Sequence, residues 1–383
     1  MRILHTSDWH IGRTFHGHST LAALRTVLDA LVAQVTEHEV DVVVVAGDVF
    51  DSAVPAADCY TLLTDTLVAL RDAGARVVAT SGNHDSAARL GFQARLLRDG
   101  IHVLTDPASI GTPITIDDAH GPVDFYGIPY LEPALLRHEW AGVRTQADVL
   151  ATAMARVRQD AAGRPGHRSI AIAHCFAAGV EATPSLERDI QQGGLDVVPL
   201  ATFDGPDYVA LGHIHGRARL SDRVRYAGAP LHYSFGEQHK QRGSWLVDLD
   251  EAGLAQVIWL ELPVPRRLRT LHDTLEALLT DPAYDGEADS WVRAEYTDTL
   301  PQRDPMRRLQ ERFPNCAMVV HAPARVAADD ARTYVARVRE ARTDLDLIDA
   351  FLMHVRAGAA TTEAERSLLR EVIDERVIAE ASA

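Results

Sequence analysis

Across the first 210 residues, a short apolar run is repeatedly followed by a polar cluster and then by a stretch with helical periodicity. The continuous, mostly β-branched run at residues 40–46 is typical of a strand that is covered on both faces. Leucines and valines that recur every three or four positions over residues 21–35 predict an amphipathic helix. Because strand and helix patterns alternate, we expect this part of the chain to fold as an α/β domain.

The pattern of apolar runs predicts a second sheet in addition to the first. Residues 3–6, 40–46 and 77–80 are the predicted strands of the N-terminal part. After residue 110 strand-like runs become more frequent, and residues 148–162 form the long helical stretch among them. These later runs lie at residues 114–116, 123–127, 170–173, 208–211, 224–227, 245–249 and 257–262.

Two prolines one residue apart, Pro263 and Pro265, predict the end of this domain, because proline disfavours both helix interiors and central strands. We therefore assign residues 1–263 to the main domain and residues 266–325 to a small α+β satellite. The satellite is predicted as a helix, a strand, a second helix and a second strand. These four elements are placed at residues 271–279, 291–297, 305–313 and 316–321.

The remaining segment, residues 327–383, is charged and predicted to be helical. Its last helix begins at a capping box formed by Thr362 and Glu365 and carries apolar residues along one face. A helix of this kind either packs against its own protein or docks into a groove of a partner. The residues leave both alternatives open.

Composition excludes several classes of protein. Three cysteines far apart in a chain of 383 residues predict neither a disulfide framework nor a paired-thiol metal site. No run approaches the ~20 apolar residues that a membrane-spanning helix needs, and the first residues lack the pattern of a signal peptide. We therefore expect a cytoplasmic protein with no membrane partner.

The formal net charge of −16 argues against a chain that grips nucleic acid through a large basic surface of its own. Three explanations remain open for this acidic balance. The substrate is small, or bound cations offset the charge locally, or a partner protein supplies the basic surface.

Side chains that can bind a metal follow five of the predicted strands. In open α/β sheets, ligands bind in the crevice at the carboxyl ends of the strands. Each of these residues alone has a common structural alternative, but all of them occur in order at strand ends, so we expect them to converge. They are Asp8 and His10, Asp48, Asn83 and His84, His174, and finally His213 and His215.

The donor types among these residues indicate the chemistry. Leaving His84 aside, they comprise two carboxylates, one amide and four imidazoles without a thiolate, a set that suits Mn²⁺, Fe²⁺ or Zn²⁺ better than Ca²⁺. Seven ligands are too many for one ion. Two ions about 3.5–4 Å apart that share Asp48 would use all seven and clamp the oxygens of an in-line displacement at phosphorus.

His84 remains after the seven ligands are assigned, and it can donate a proton to the leaving oxygen. Asp51 either orients the imidazole of His84 or caps the segment that follows it, and the sequence leaves the choice open. Arg13 and His16 flank the first ligand loop and are the predicted contacts to substrate. For each of these two, a solvated side chain is the alternative.

Three segments carry a resemblance to a known family: His5-Thr-Ser-Asp-Trp-His-Ile-Gly12, Ala46-Gly-Asp-Val-Phe-Asp51 and Ser81-Gly-Asn-His-Asp85. Together with the later His174 and the Gly-His-x-His segment at residues 212–215, their order resembles the calcineurin-like metallophosphoesterase superfamily. In sequence, the three segments are most similar to the nuclease subunits of bacterial SbcCD complexes. The resemblance covers essentially the whole chain.

The resemblance implies a four-layer α/β/β/α sandwich, a small α+β capping domain over the DNA cleft and a helical C-terminal tail. It implies two Mn²⁺ ions, with Mg²⁺, Fe²⁺ or Zn²⁺ as other possible metals, and it matches His84 to the family's catalytic histidine. By the same resemblance, one metal would take Asp8, His10, Asp48 and His215, and the other would take Asp48, Asn83, His174 and His213.

The resemblance also implies partners: DNA ends and hairpins, a second copy of the chain, and a coiled-coil ATPase of the SbcC type that binds the tail. A basic surface on that ATPase would account for the acidic charge of this chain. The resemblance therefore implies a Mn²⁺-dependent nuclease, with 3′–5′ exonuclease activity on duplex ends and endonuclease activity on hairpins and single strands. A phosphodiesterase for a small nucleotide and a binding protein with an inactive site are the alternatives.

Overall fold

A computed structural model of the chain describes residues 1–97, 100–179, 197–323, 330–356 and 358–381. The chain divides into two compact units, Met1–Arg266 and Arg267–Ala383. The further division of the second unit into a cap and a tail stays a prediction.

The first unit contains sixteen strands and five α-helices among its described residues. In chain order, strands β1 to β16 are Arg2–Thr6, Thr14–Phe15, His18–Ser19, Val42–Ala46, Arg76–Thr80, Ile101–Leu104, Ile114–Asp118, Gly121–Gly127, Arg168–His174, Phe176–Ala177, Val197–Val198, Tyr208–Gly212, Ala218–Arg219, Val224–Tyr226, Gly243–Asp250 and Gly253–Glu261. Helices α1 to α5 are Leu21–Glu37, Ala57–Asp72, Ala87–Leu90, Pro133–Leu136 and Gln146–Ala162.

Two six-stranded sheets dominate this unit. The first has the order β16-β15-β1-β4-β5-β6, with the last four strands parallel to one another. The second has the order β13-β14-β12-β9-β8-β7, with β14, β12, β9 and β8 parallel. The expectation of a second sheet is confirmed, and two further short pairs, β2 with β3 and β10 with β11, lie outside the large sheets.

The buried apolar side chains form three layers of core that define the sandwich. Leu28 of α1 and Leu62 of α2 pack with Val43 on the outer face of the first sheet. Ile172 belongs to a second cluster between the two sheets, together with Val44. Residues of α5 cover the outer face of the second sheet. The layer order is therefore α/β/β/α, as predicted.

The predicted elements of the first unit are present, with strand ends that differ from the prediction by up to four residues. Helix α5 begins two residues before the predicted start, because Thr145 and Asp148 form a capping box there. Strand β6 was not predicted. It lies at the edge of the first sheet and its side chains are only half-buried, so its sequence lacks the continuous apolar run of the central strands.

The second unit begins with a three-stranded parallel sheet. Strands β17 to β19 are Leu268–Asp273, Trp291–Tyr296 and Cys316–His321, and helices α6 and α7 are Leu275–Thr280 and Pro305–Arg312. The predicted inward alternation of Val292, Ala294 and Tyr296 is confirmed. The predicted helix at residues 271–279 is wrong at its start, because Leu271 lies in β17 and pairs with Ala294 of β18.

Three more helices follow, α8 at Asp330–Glu340, α9 at Asp344–Val355 and α10 at Glu363–Ala381, and α9 contacts both others. Among the described residues, we find no helix with the length and apolar character that crossing a bilayer requires. Cys59, Cys175 and Cys316 are buried free thiols, as their separation in the sequence predicted.

Candidate metal centre

The carboxyl ends of five parallel strands, β1, β4, β5, β9 and β12, carry the candidate ligands. Two hydrogen bonds join the two sheets at this point. The backbone N–H of His213, after β12, donates to Oδ1 of Asp8 at 2.9 Å. Nδ1 of His174 donates to the carbonyl of Ala46, at the end of β4, at 3.0 Å. The strand ends therefore meet at one site, as the sequence pattern predicted.

The backbone at these strand ends adopts conformations that few side chains tolerate. Seven non-glycine residues have a positive φ among those described, and four of them are candidate ligands: Asp8, His10, Asp48 and His213. Such residues persist only where the surrounding structure holds them, and they cluster at functional sites. At Gly82, a Cβ atom would lie 2.1 Å from Oδ1 of Asp48, so only glycine allows this close approach.

Asp8, His10 and His215 form the first group whose ligand atoms lie close enough to hold one ion. Nε2 of His10 and Nε2 of His215 are 3.1 Å apart. Oδ2 of Asp8 accepts a hydrogen bond of 2.5 Å from the Ser7 hydroxyl. All three ligand residues are buried.

Asp48, His174 and His213 form the second group. Nδ1 of His213 lies 3.3 Å from Nε2 of His174. Oδ1 of Asn83 lies 3.0 Å from the former nitrogen and 3.1 Å from the latter, so the amide oxygen faces the same point. The structure thus brings all seven predicted ligands together around these two groups, and a third combination with ligand atoms equally close consists of His10, Asp48 and His84.

Asp48 lies between the groups. Its Oδ2 is 3.3 Å from Nε2 of His174 and 3.6 Å from Nε2 of His10. Its Oδ1 accepts a hydrogen bond of 2.9 Å from the backbone N–H of His84. This position allows one carboxylate to serve both groups, and the arrangement fits a pair of divalent cations with mixed oxygen and nitrogen ligands.

Burial and neighbouring charges shift the ionisation of these groups. Burial lowers the pKa of His10 to about 4, although Asp51 opposes the shift, and burial next to His174 lowers the pKa of His213 to about 3. Burial would also lower the pKa of His174, but Asp48 raises it to about 9. Burial disfavours the charged form of Asp48, yet His174 holds its pKa well below the ordinary value.

His84 lies at the rim of the site. Its side chain is 38% exposed, and its ring is 4.8 Å from the ring of His10 between centroids. Nδ1 of His84 donates to the backbone carbonyl of Asp51 at 3.0 Å. Nε2 is then left on the opposite edge of the ring.

The alternative in which the carboxylate of Asp51 orients His84 does not fit the distances in the structure. Oδ1 of Asp51 is 4.0 Å from Nδ1 of His84, but it accepts hydrogen bonds from Nδ1 of His10 at 3.1 Å and from Arg13 at 2.7 Å. Two closer donors therefore occupy the carboxylate, and the main chain of Asp51 orients His84 instead.

The two predicted substrate contacts lie near the site with different partners. Arg13 pairs with Asp51 and lies over the ring of Tyr233, 5.2 Å from its centroid. His16 is exposed in the turn between β2 and β3, and its ring is 4.8 Å from that of Phe15 and 5.5 Å from that of Phe235. Arg13 therefore already forms an ion pair within the protein, whereas His16 makes only ring contacts and remains exposed.

Sequence reasoning missed a buried carboxylate behind His215. Oε1 of Glu237 lies 3.4 Å from Nδ1 of His215, and Oε2 accepts a hydrogen bond of 2.5 Å from Arg242. Glu237 is fully buried; burial raises its pKa, but His215 and Arg242 outweigh burial and hold the pKa at about 2. No short motif links Glu237 to His215, because it lies 22 positions further along the chain.

Asp85 was also missed, although it completes the Gly-Asn-His-Asp segment. Its carboxylate accepts hydrogen bonds from the backbone N–H groups of Val49, Phe50 and Gly82 at 2.8–3.0 Å. These bonds tie the loop after β4 to the loop after β5. Burial and the nearby Asp48 raise the pKa of Asp85 to about 6.

Comparisons with known proteins agree with this geometry. Residues 1–217 match the family model described as calcineurin-like phosphoesterase. Residues 264–356 match a second model, SbcD_C, which is described as the type 5 capsule protein repressor C-terminal domain.

Three solved structures are similar at low identity. The crystal structure of TT1561 from Thermus thermophilus is 13% identical and is matched over 68% of this chain and 98% of that chain, with a TM-score of 0.39. A dimetal phosphatase from Danio rerio is 13% identical over 69% of this chain and 99% of that chain, with a TM-score of 0.39. GAP50 of Plasmodium is 10% identical and is matched over 85% of this chain and 98% of that chain, with a TM-score of 0.38.

At these TM-scores we base no assignment on the three structures. The phosphoesterase family model, in contrast, covers more than half of the chain and includes all seven candidate ligands. The chain therefore belongs to the calcineurin-like phosphoesterase family, a family of metal-dependent phosphoester hydrolases.

Proposed function

We propose that the protein is a Mn²⁺-dependent DNA nuclease that hydrolyses phosphodiester bonds at duplex ends and hairpins. One observation carries this proposal: two groups of buried ligand atoms meet at Asp48, with the exposed imidazole of His84 beside them. A pair of cations bound there would stabilise the charge on the attacking and leaving oxygens of an in-line displacement at phosphorus.

His84 is the proposed general acid of this reaction. Its Nδ1–H donates to the carbonyl of Asp51, and that bond fixes the orientation of the ring. Nε2 can then deliver a proton to the leaving oxygen of the substrate.

A polynucleotide is the proposed substrate, with support from the second half of the chain. Residues 264–356 match the SbcD_C model, and the resemblance of the sequence to SbcCD nuclease subunits extends over the same residues. A hydrolase for a small phosphodiester does not require an additional folded unit of this size. A small nucleotide as substrate is the competing outcome of the test below.

Incubation with Mn²⁺ tests the proposal, with end-labelled duplex DNA, a DNA hairpin and bis(p-nitrophenyl) phosphate as alternative substrates. We expect both DNA substrates to be cleaved and the activity to disappear with a chelator. The His84→Gln variant is the matched control for contaminating nucleases. Turnover of the small diester without any cleavage of DNA would contradict the proposed substrate.

The helices at the end of the second unit support the proposed ATPase partner. Phe351 and Val355 on α9 are 51% and 55% exposed, and Leu368 and Val372 on α10 are 61% and 56% exposed. Apolar side chains at helical spacing are the anchors by which a helix docks onto a partner. We expect Phe351→Asp to abolish binding to an SbcC-type coiled-coil ATPase, and unchanged binding in a pull-down would contradict this assignment.

An apolar groove between α2 and the segment after α3 supports the proposed homodimer. Phe92 and Leu96 are 79% and 74% exposed, and Tyr60 is 38% exposed beside a cavity of about 180 Å³. A second copy that covers this surface would remove a large apolar patch from water. We expect a dimer in sedimentation velocity and a monomer for Phe92→Asp, and a monomeric unchanged protein would contradict the dimer.

A further inference from the structure

A second cavity lies next to the metal centre within the first unit. It has a volume of about 760 Å³, within the ~300–1,000 Å³ of typical small-ligand sites. Tyr130 forms part of its wall. The ring of Tyr130 lies 6.4 Å from the ring of His174, and its backbone N–H donates to the carbonyl of Ser81, just before the loop of Asn83. The cavity therefore lies directly beside the candidate metal ligands.

Two arginines and one carboxylate, that of Glu132, line this cavity, so its charged side chains are positive in balance in a chain that is acidic overall. Arg137 and Arg144 line it and are exposed. Neither guanidinium forms an ion pair among the described residues, although the carboxylate of Asp148 accepts a hydrogen bond from the backbone N–H of Arg144 and attracts its charge. His138 lies beside Arg137 and accepts a hydrogen bond of 3.3 Å from it. Unpaired guanidinium groups in a concave site are suited to bind phosphate oxygens in a bidentate manner.

We propose that this cavity binds a nucleotide that flanks the scissile phosphodiester of a DNA strand. Arg137 and Arg144 contact its phosphate, and the ring of Tyr130 stacks on the base. This subsite rests on the proposed nuclease function and explains how an acidic chain holds DNA next to its cations. The arginine contacts to the phosphate do not depend on the base sequence of the DNA.

The test compares the double variant Arg137→Ala/Arg144→Ala with the unchanged protein and with Arg223→Ala. Arg223 is an exposed control, since it lies before β14 at the opposite end of the second sheet. Fluorescence anisotropy measures binding of a labelled DNA duplex in Ca²⁺ over a range of salt concentrations. Steady-state assays in Mn²⁺ compare kcat/KM for the duplex with kcat/KM for bis(p-nitrophenyl) phosphate.

We expect the double variant to bind DNA at least ~10-fold more weakly and to lose about two units of the salt slope, because two phosphate contacts are removed. The ratio of kcat/KM for DNA to that for the small diester should fall by a similar factor. Arg223→Ala should match the unchanged protein, and Arg137→Lys/Arg144→Lys should recover most of the binding, because it retains both charges.

Equal DNA affinity and an equal kcat/KM ratio in the double variant would overturn the subsite, while cleavage of DNA by all variants would leave the proposed function standing. An unchanged protein that hydrolyses the small diester but neither binds nor cleaves DNA would overturn both. Weakened binding by Arg223→Ala to the same extent would overturn the subsite as well, because it would indicate a diffuse electrostatic effect.

Discussion

The two ligand groups of the metal centre differ in what lies behind their imidazoles. We call Asp8, His10 and His215 the carboxylate-backed group, because Nδ1 of each histidine faces a carboxylate. Nδ1 of His10 lies 3.1 Å from Asp51, and Nδ1 of His215 lies 3.4 Å from Glu237. Asp48, His174 and His213 form the carbonyl-backed group. There Nδ1 of His174 donates to a backbone carbonyl, and His213 turns its own Nδ1 towards the centre.

This difference predicts unequal cation affinity. A carboxylate behind a ligating histidine fixes the orientation of the ring and raises its basicity more than a neutral carbonyl does. We therefore expect a cation to bind more tightly at the carboxylate-backed group than at the carbonyl-backed group. Four substitutions test this comparison.

Asp48→Asn has the largest expected effect, because Asp48 is the residue that the two groups share. We expect both groups to lose Mn²⁺, which elemental analysis after gel filtration would show as a lower metal content per chain. Hydrolysis should fall to background. Asp41→Asn is the control, since its carboxylate contacts the backbone N–H of Arg2, away from the strand ends. Retention of full activity by Asp48→Asn would show that the groups do not act as one centre.

His84→Gln is expected to lower kcat by ~10²–10⁴-fold, the usual contribution of a general acid. Both cations should remain bound, because His84 is assigned to neither group. Elemental analysis and single-turnover kinetics separate the two effects. A parallel loss of metal and activity would make His84 a ligand rather than a proton donor.

Glu237→Gln is expected to weaken the tighter Mn²⁺ site by ~10–100-fold, because the amide cannot supply the negative charge behind His215. Isothermal titration of the metal-free protein measures both sites. The weaker site should change little, and Glu251→Gln, in the exposed turn between β15 and β16, serves as the control. A selective loss at the weaker site instead would reverse the comparison.

Asp51→Asn has the smallest expected effect, near the ~10-fold lower end of the range for residues behind a ligand. Arg13 already offsets part of the charge of Asp51 through its 2.7 Å contact, so less negative charge reaches His10. The same titration should show a modest shift at the tighter site. A loss as large as that of Glu237→Gln would mean that Arg13 does not moderate Asp51.

The ligands were predictable because each lies at or within a few residues of the carboxyl end of a buried strand. A continuous apolar run that stops at Asp48 or His174 is visible in the sequence, and parallel strands bring their carboxyl ends to the same edge. The partners behind the ligands were not predictable in this way. Glu237 reaches His215 through an irregular loop, and nothing in the sequence spacing encodes that contact.

One open choice and one wrong boundary have a common cause: groups compete for the same partner, and only the three-dimensional structure decides between them. The carboxylate of Asp51 has Arg13, His10 and His84 within reach, and distance selects the first two. In the second unit, the helix predicted for residues 271–279 starts too early, because parallel pairing with Ala294 of β18 places Leu271 in strand β17. Tertiary pairing therefore overrides a local periodicity.

The central claim is that seven side chains hold two cations that share Asp48. Crystals soaked in low and then high Mn²⁺, with anomalous diffraction recorded near the manganese edge, test it most directly. The account predicts a first peak between His10 and His215 and a second peak about 3.5–4 Å away beside His174 and His213. A single peak at saturating Mn²⁺, or peaks that do not contact Asp48, would contradict it.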